Sequence, residues 1–245
     1  MEPPAFAMAW MRRARVVEAL LKARLEVDLP GLVAGVRARL TSRLQLQAIP
    51  VEADLADRAG PLGWGRVQTW AWSAPRLRKV VLSHVSMRPI IEGFALVLSP
   101  ESGYAAPVFA ADLMALPTRV SANADQYGVR HAPFQASLRG LGESFVRLET
   151  SGGPAWGADL ASGVGLHTKL SPRMTEGAFA ALSAALGSYL DTLDGLSTHS
   201  TTPEADELAR QKFFQLFHEH GPRRGPLGRL FGAAWAERYS HLVFE

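Results

Sequence analysis

The chain contains no cysteine, although it has 245 residues and 47% of them are apolar. This absence excludes disulfides, a cysteine nucleophile and any iron–sulfur cluster or zinc ribbon held by cysteine thiolates. If the protein transfers electrons, an iron–sulfur centre must therefore belong to a partner. The sequence also lacks an apolar run of the roughly 20 residues that a membrane-spanning helix needs. Its first residues do not form a secretory signal, so we expect a cytoplasmic location.

A strong charge imbalance is also missing. Charged residues make up 20% of the chain and the net charge is +3, with a sequence pI of about 9.5. This mild basic balance favours an acidic partner or an anionic ligand. Lysine and arginine are not interleaved with aromatic residues as in a nucleic-acid groove, so we expect no nucleic acid. We find no internal repeat or linker, and we expect a single domain over residues 1–245 that remains monomeric.

What is present is a clear change of periodicity along the chain. Apolar residues recur at three- and four-residue spacing at both ends, which predicts helices there. The predicted helices cover residues 8–26, 32–46, 175–195, 203–220 and 227–238. Between them lie short β-branched or aromatic segments separated by turn residues, which predict antiparallel strands. These strands cover residues 68–72, 80–87, 94–98, 108–114 and 119–124, with a further pair at 144–149 and 158–161.

Three segments carry a resemblance to a known family. Residues 104–113 read Tyr-Ala-Ala-Pro-Val-Phe-Ala-Ala-Asp-Leu, and Val-Ser-Ala follows at 120–122. Residues 75–79 read Pro-Arg-Leu-Arg-Lys. Near the C-terminus, Leu-Phe-Gly at 230–232 precedes Trp-Ala-Glu-Arg-Tyr at 235–239. In this order and spacing, the segments resemble the ferredoxin-dependent bilin reductases, as a divergent member similar to the phycocyanobilin-forming enzymes.

This resemblance implies both a fold and an activity. The fold is α/β, a three-layer α/β/α sandwich with a central antiparallel sheet flanked by helices. The activity is reduction of biliverdin or a related linear tetrapyrrole, bound between the sheet and the C-terminal helices. Electrons arrive singly from an external, acidic, ferredoxin-like donor, and the enzyme itself binds no flavin or metal cofactor. Protons come from side chains and water.

Asp112 is the residue best placed to deliver those protons. It follows the apolar run Val108–Ala111, which predicts a buried strand. A carboxyl group in an apolar pocket is disfavoured in its charged form, so it can hold a proton near neutral pH. The resemblance assigns Asp112 the role of catalytic acid. The alternative is an aspartate at a strand end that caps a neighbouring turn.

The sequence departs from the family pattern at several positions of the implied site. Ala95 stands where the phycocyanobilin-forming members carry histidine, and Ser83 ends a segment where the family has His-Leu-Glu. Gly221 replaces a catalytic aspartate. Strand alternation places His84 on the opposite face from Ser83, so His84 cannot substitute for the lost histidine.

Other side chains are candidates to complete the site. His220 could serve as a second catalytic proton donor, or lie in water at a helix end. Ser83, Ala95 and Asn123 are expected to line the substrate pocket, although Asn123 could instead belong to a turn. Arg223 and Arg224 suit the bilin propionates, because guanidinium groups bind carboxylates in bidentate fashion; a basic loop in water is the alternative.

Two further interpretations stay open from the residues alone. His218 and His220 are two apart in a predicted helix and do not share a face, so we predict no metal site. The altered pocket is compatible with an active reductase that relies on Asp112. It is also compatible with a non-catalytic homologue that binds a tetrapyrrole, or acts through partners, after losing most proton donors.

Overall fold

The computed structural model describes residues 28–60, 65–87, 91–142, 158–196, 200–220 and 226–244. The predicted helix at 8–26 and the predicted strand at 144–149 lie outside these ranges. Among the described residues, no helix combines the length and the apolar character that crossing a membrane requires.

An eight-stranded antiparallel sheet forms the centre of the molecule. Its strands are β1 (Gln47–Ala48), β2 (Asp57–Ala59), β3 (Arg66–Ala74), β4 (Leu77–Met87), β5 (Ile91–Pro100), β6 (Val108–Leu116), β7 (Arg119–Tyr127) and β8 (Leu166–Leu170). The spatial order is β1-β3-β4-β5-β6-β7-β8, and β2 also pairs with β3. Consecutive strands from β3 to β7 are neighbours, as expected for chain segments joined by short turns.

Helices cover both faces of this sheet. They are α1 (Leu29–Arg43), α2 (Ala53–Ala56), α3 (Ala132–Arg139), α4 (Thr175–Asp194), α5 (Pro203–His220), α6 (Pro226–Phe231) and α7 (Ala233–Phe244), with a 3₁₀ turn at Pro172–Met174. Buried residues of α1, α3 and α4 form one apolar core with one face of the sheet. Buried residues of α5, α6 and α7 form a second core with the other face. The predicted three-layer α/β/α sandwich is therefore confirmed.

The strands are buried on both faces because each face has a helical layer against it. On β4, Leu82 belongs to the core under α4, whereas Val81 belongs to the core under the C-terminal helices. The predicted strands between residues 68 and 124 are all present. The predicted helices at 32–46, 175–195 and 203–220 are present with shifts of a few residues at their ends.

Two predictions about elements were wrong. The helix predicted at 227–238 is two helices, because Gly232 adopts a φ of 91° that breaks the helical path and that glycine tolerates. Residues 158–161 form a turn with one isolated bridge, between Ala161 and Tyr127, rather than a strand. Helix α3 and strand β8 were not predicted; β8 proves important for the site.

The segment at residues 104–107 is held from both helical layers. Arg210 of α5 is 1% exposed, and its guanidinium donates hydrogen bonds to the carbonyl oxygens of Tyr104 and Ala106. From α4, the Tyr189 hydroxyl donates to the carbonyl oxygen of Pro107 at 2.9 Å. These bonds satisfy carbonyl groups that the sheet leaves unpaired, and they fix the chain just before β6.

Candidate active site

A single row of residues crosses the sheet perpendicular to the strands. In each antiparallel pair, the two members of the row are direct partners. The row consists of Thr69, Ser83, Ala95, Asp112, Asn123 and His167, from β3 to β8 in spatial order. Because direct partners in an antiparallel pair project to the same face, these side chains share one side of the sheet.

The row lies on the face that the C-terminal helices cover. Val81 and Val97 lie two residues from Ser83 and Ala95, so they share this face, and they pack with Phe213 of α5 and Trp235 of α7. His84 pairs with Phe94 and projects to the opposite face, as strand alternation predicts.

Four predicted site residues are thus brought together in the order that the motifs imply. Ser83, Ala95, Asp112 and Asn123 are consecutive members of the row. Ser83 is fully buried; its hydroxyl donates to Thr69 Oγ1 at 3.3 Å and is hydrogen-bonded with the Tyr239 hydroxyl of α7. Burial raises the pKa of Tyr239 to about 12, which the Ser83 hydrogen bond opposes. Tyr239 therefore links the C-terminal helix directly to the row.

Asp112 is partly buried at the centre of the row. Desolvation by burial raises the pKa of its carboxyl from 3.8 to about 6. Two effects oppose this rise: Asn123 Nδ2 donates to both carboxylate oxygens, at 3.1 and 3.0 Å, and His167 lies close enough to favour the charged form. Desolvation is the largest effect, so the carboxyl exchanges its proton near neutral pH.

His167 and Asp125 extend the network beyond Asn123. His167 Nε2 lies 2.9 Å from Asp125 Oδ2, and its Nδ1 lies 3.3 Å from Asn123 Oδ1. Since Asn123 donates from its Nδ2 to Asp112, both ring nitrogens of His167 face oxygen acceptors. The result is a continuous hydrogen-bonded chain from Asp112 to Asp125.

Asp125 is 1% exposed and is held in place by the loop before β8. Its Oδ1 accepts from the backbone N–H of Gln126 at 2.7 Å, and from both the backbone N–H and the hydroxyl of Ser162. Gly165 makes room for this carboxyl, because a Cβ at that position would lie 2.2 Å from Asp125 Cγ. These hydrogen-bond donors belong to the protein, so they hold the Asp125 carboxyl in one orientation without a substrate.

Sequence reasoning missed His167 because it did not predict β8. The segment Leu166–Leu170 alternates Leu, Thr and Leu with His167 and Lys169, and this period of two was the available signal. Asp125 is in β7, on the same face as the row, two residues beyond Asn123.

The remaining predicted site residues are not placed in the row. His220 is the last residue of α5 and its side chain is exposed; its role as a proton donor stays a prediction. Arg223 and Arg224 lie outside the described residues. A cavity of about 890 Å³ does occur elsewhere, between α1 and strands β3 to β5, but it lies on the His84 side of the sheet. The carboxyl whose pKa is raised is on the other side, so we take the row as the site.

The chain is similar to known proteins of one family. The family model for ferredoxin-dependent bilin reductases matches residues 33–244. The chain is 29% identical over 219 residues to a phycoerythrobilin:ferredoxin oxidoreductase of Gloeobacter violaceus, covering 82% of this chain and 88% of that protein. It is 26% identical over 208 residues to a phycocyanobilin:ferredoxin oxidoreductase of the same organism, covering 82% of each.

A solved structure shows the same fold. It is phytochromobilin synthase from tomato in complex with biliverdin, with a TM-score of 0.73 at 14% identity, covering 87% of this chain and 81% of that one. This similarity confirms the fold, and the family match identifies the chain as a bilin-reducing oxidoreductase. The chain belongs to the ferredoxin-dependent bilin reductase family, of which it is a divergent member.

Proposed function

We propose that the protein reduces biliverdin, or a related linear tetrapyrrole, with Asp112 as the principal proton donor. The observation that carries this proposal is the position of Asp112 at the centre of the row, with its pKa raised to about 6. An acid is most effective in catalysis when its pKa lies near the operating pH.

The chemistry requires a proton for each electron that remains on the bilin. A reduced ferredoxin-like protein gives up one electron and is oxidised, and the bilin becomes a radical whose basicity rises. Asp112 then transfers its proton to the bilin and becomes a carboxylate. The Asn123 Nδ2 donor and the nearby His167 stabilise that carboxylate, and solvent returns the proton before the next transfer.

The row also explains how a pocket with few donors can work. Ala95 pairs with Asp112 but can neither donate nor accept from its side chain. The hydrogen-bonded chain from Asn123 through His167 to Asp125 lies on the other side of Asp112 and supplies polar groups there. We propose that Ser83, Ala95 and Asn123 contact the bilin, that Arg223 and Arg224 bind its propionates, and that His220 supplies a further proton.

The composition is compatible with the electron donor and the setting that the resemblance implies. A cysteine-free chain with a net charge of +3 suits an acidic partner that carries the iron–sulfur centre. We propose that the protein works as a cytoplasmic monomer without a bound flavin or metal in its reaction. Electrons then reach the bilin directly from the docked donor.

Adding biliverdin to the purified protein tests binding, and adding reduced ferredoxin without oxygen tests turnover. We expect a shifted and sharpened long-wavelength absorption band, then radical intermediates, then blue-shifted products. Chromatography against phycocyanobilin and phycoerythrobilin standards would identify the product, and phycocyanobilin is the one predicted from the resemblance. An unchanged spectrum at excess ligand would exclude biliverdin as substrate. Binding without reduction would identify a non-catalytic homologue.

A further inference from the structure

We propose that His218, Glu237 and His241 form a binding site for a divalent transition metal ion such as Zn²⁺, where α5 meets α7. One ligand atom from each of these side chains lies within 4.8 Å of the other two. Two imidazoles and one carboxylate are a ligand set that zinc accepts, with a fourth position left for water.

The helices bring these side chains together in a simple way. Glu237 and His241 are four residues apart on α7 and therefore share one face. His218 lies in the last turn of α5, which packs against α7, and its ring centroid is 4.5 Å from that of His241. The site thus requires two helices, α5 and α7, between which α6 lies in the sequence.

The spacing of the three ligand atoms is compatible with an ion between them. Tetrahedral ligands about 2.0–2.1 Å from zinc lie roughly 3.3 Å apart, and these three atoms lie within 4.8 Å of one another. His218 and Glu237 are partly exposed and His241 is exposed. This exposure gives the ion and its water ligand a route to the site.

The site lies on the helical layer that covers the Asp112 row. His218 is four residues from Phe214 of the second core, and His241 is two residues from Tyr239, which is hydrogen-bonded with Ser83. An ion held by both α5 and α7 would therefore stabilise the helical layer that packs over the Asp112 row. Because an ion that binds only the folded state raises its stability, bound metal should raise the melting temperature.

The proposed ligands differ from the two histidines, His218 and His220, that lie close together in the sequence. His218 and His220 are separated by one residue on α5, so their side chains do not share a face of that helix. The partners of His218 instead come from α7. His220→Ala is therefore a matched control, since it removes a neighbouring imidazole from the same helix end.

The test uses the full, tag-free, metal-free chain without bilin, in competition with a chromogenic chelator for Zn²⁺. We expect one ion per chain. His218→Ala, Glu237→Gln and His241→Ala should each weaken binding by at least about tenfold, whereas His220→Ala should leave affinity unchanged. Failure to bind stoichiometric Zn²⁺ would overturn the proposal, as would equal loss of affinity in His220→Ala.

Melting curves with and without Zn²⁺ give a second readout that does not depend on the chelator. The wild type and His220→Ala should show a Zn²⁺-dependent rise in melting temperature that His241→Ala lacks, with the metal-free proteins melting alike. A rise that persists in His241→Ala would contradict the assigned ligands. Neither measurement involves a bilin, so their failure would leave the proposed reductase function untouched.

Discussion

Asn123 donates from a single amide nitrogen to both carboxylate oxygens of Asp112, at 3.1 and 3.0 Å. This contact joins the adjacent strands β6 and β7 on the face of the sheet that the C-terminal helices cover. It favours the charged form of the acid, whereas desolvation favours the neutral form and is the larger effect. The balance leaves the Asp112 carboxyl with a pKa of about 6, where it can both hold and release a proton.

Asp112→Asn should abolish bilin reduction while preserving the fold. The amide keeps the size of the carboxyl but has no transferable acid proton, so the rate should fall at least about a hundredfold. Single-turnover reduction by reduced ferredoxin measures this rate, and thermal unfolding checks the fold. Asp159→Asn makes the same chemical change at an exposed position and should retain full activity. Unchanged turnover in Asp112→Asn would remove Asp112 from the mechanism.

The raised pKa of Asp112 also predicts a pH dependence of stability. The folded protein binds the Asp112 proton more tightly than the unfolded chain, because the folded pKa is about 6 and the ordinary value is 3.8. The stabilising contribution is therefore present below pH 3.8 and is lost as pH rises through 6. The Asp112→Asn variant lacks this pH-dependent contribution, because an amide does not titrate in this range. Relative to wild type, its free energy of unfolding should rise by up to about 3 kcal/mol between pH 4 and 7.

Urea unfolding at several pH values measures this difference, with Asp159→Asn as the control. The exposed Asp159 should give a difference from wild type that varies little over the same interval. A pH-independent difference for Asp112→Asn would show that the Asp112 pKa is not raised in the folded state.

Asn123→Ala should move the proton-transfer step to higher pH. Removing the Nδ2 donor destabilises the Asp112 carboxylate, so the pKa of Asp112 should rise above 6. The limb of the pH–rate profile that reports Asp112 ionisation should shift upward with it. Ser121→Ala, on the same strand and face but outside the row, should leave the limb in place. An unshifted limb in Asn123→Ala would separate Asn123 from the control of Asp112.

Arg210→Met should destabilise the fold. The variant leaves the Ala106 carbonyl without its Arg210 donor and breaks the 3.0 Å ion pair with Glu207. Leaving a buried carbonyl oxygen without its donor costs about 1–3 kcal/mol, measurable by urea unfolding. Arg43→Met is the matched control, because Arg43 pairs with Asp191 and Asp194 at the surface and should matter far less. Equal effects in the two variants would contradict a structural role specific to Arg210.

Local sequence was enough to predict the central strands and one side of the site. The short β-branched segments between residues 68 and 124 predicted β3 to β7, because strand alternation and turn residues are local signals. Counting along the family motifs matched Ser83, Ala95 and Asp112 to site positions of the family, and the structure places them as direct partners on neighbouring strands. It also correctly separated His84 from them.

The other side of the site could not be predicted in this way. His167 lies on a five-residue strand preceded in sequence by a long segment without a clear period. Its position beside Asn123 depends on β8 pairing with β7, a contact between residues more than 40 positions apart. Short strands carry little periodic signal, and their partners are chosen by the packing of the whole sheet.

The sequence by itself determined that the chain lacks thiol chemistry, that its centre is antiparallel sheet, and that an acid follows the buried segment Val108–Ala111. These properties are encoded locally, in composition, alternation and motif. Only the tertiary structure decided that Asn123, His167 and Asp125 form one hydrogen-bonded chain with Asp112, and that His218 meets Glu237 and His241 across two helices. The reason is physical: the pKa of a buried acid and the ligands of an ion depend on distances between segments, which packing alone sets.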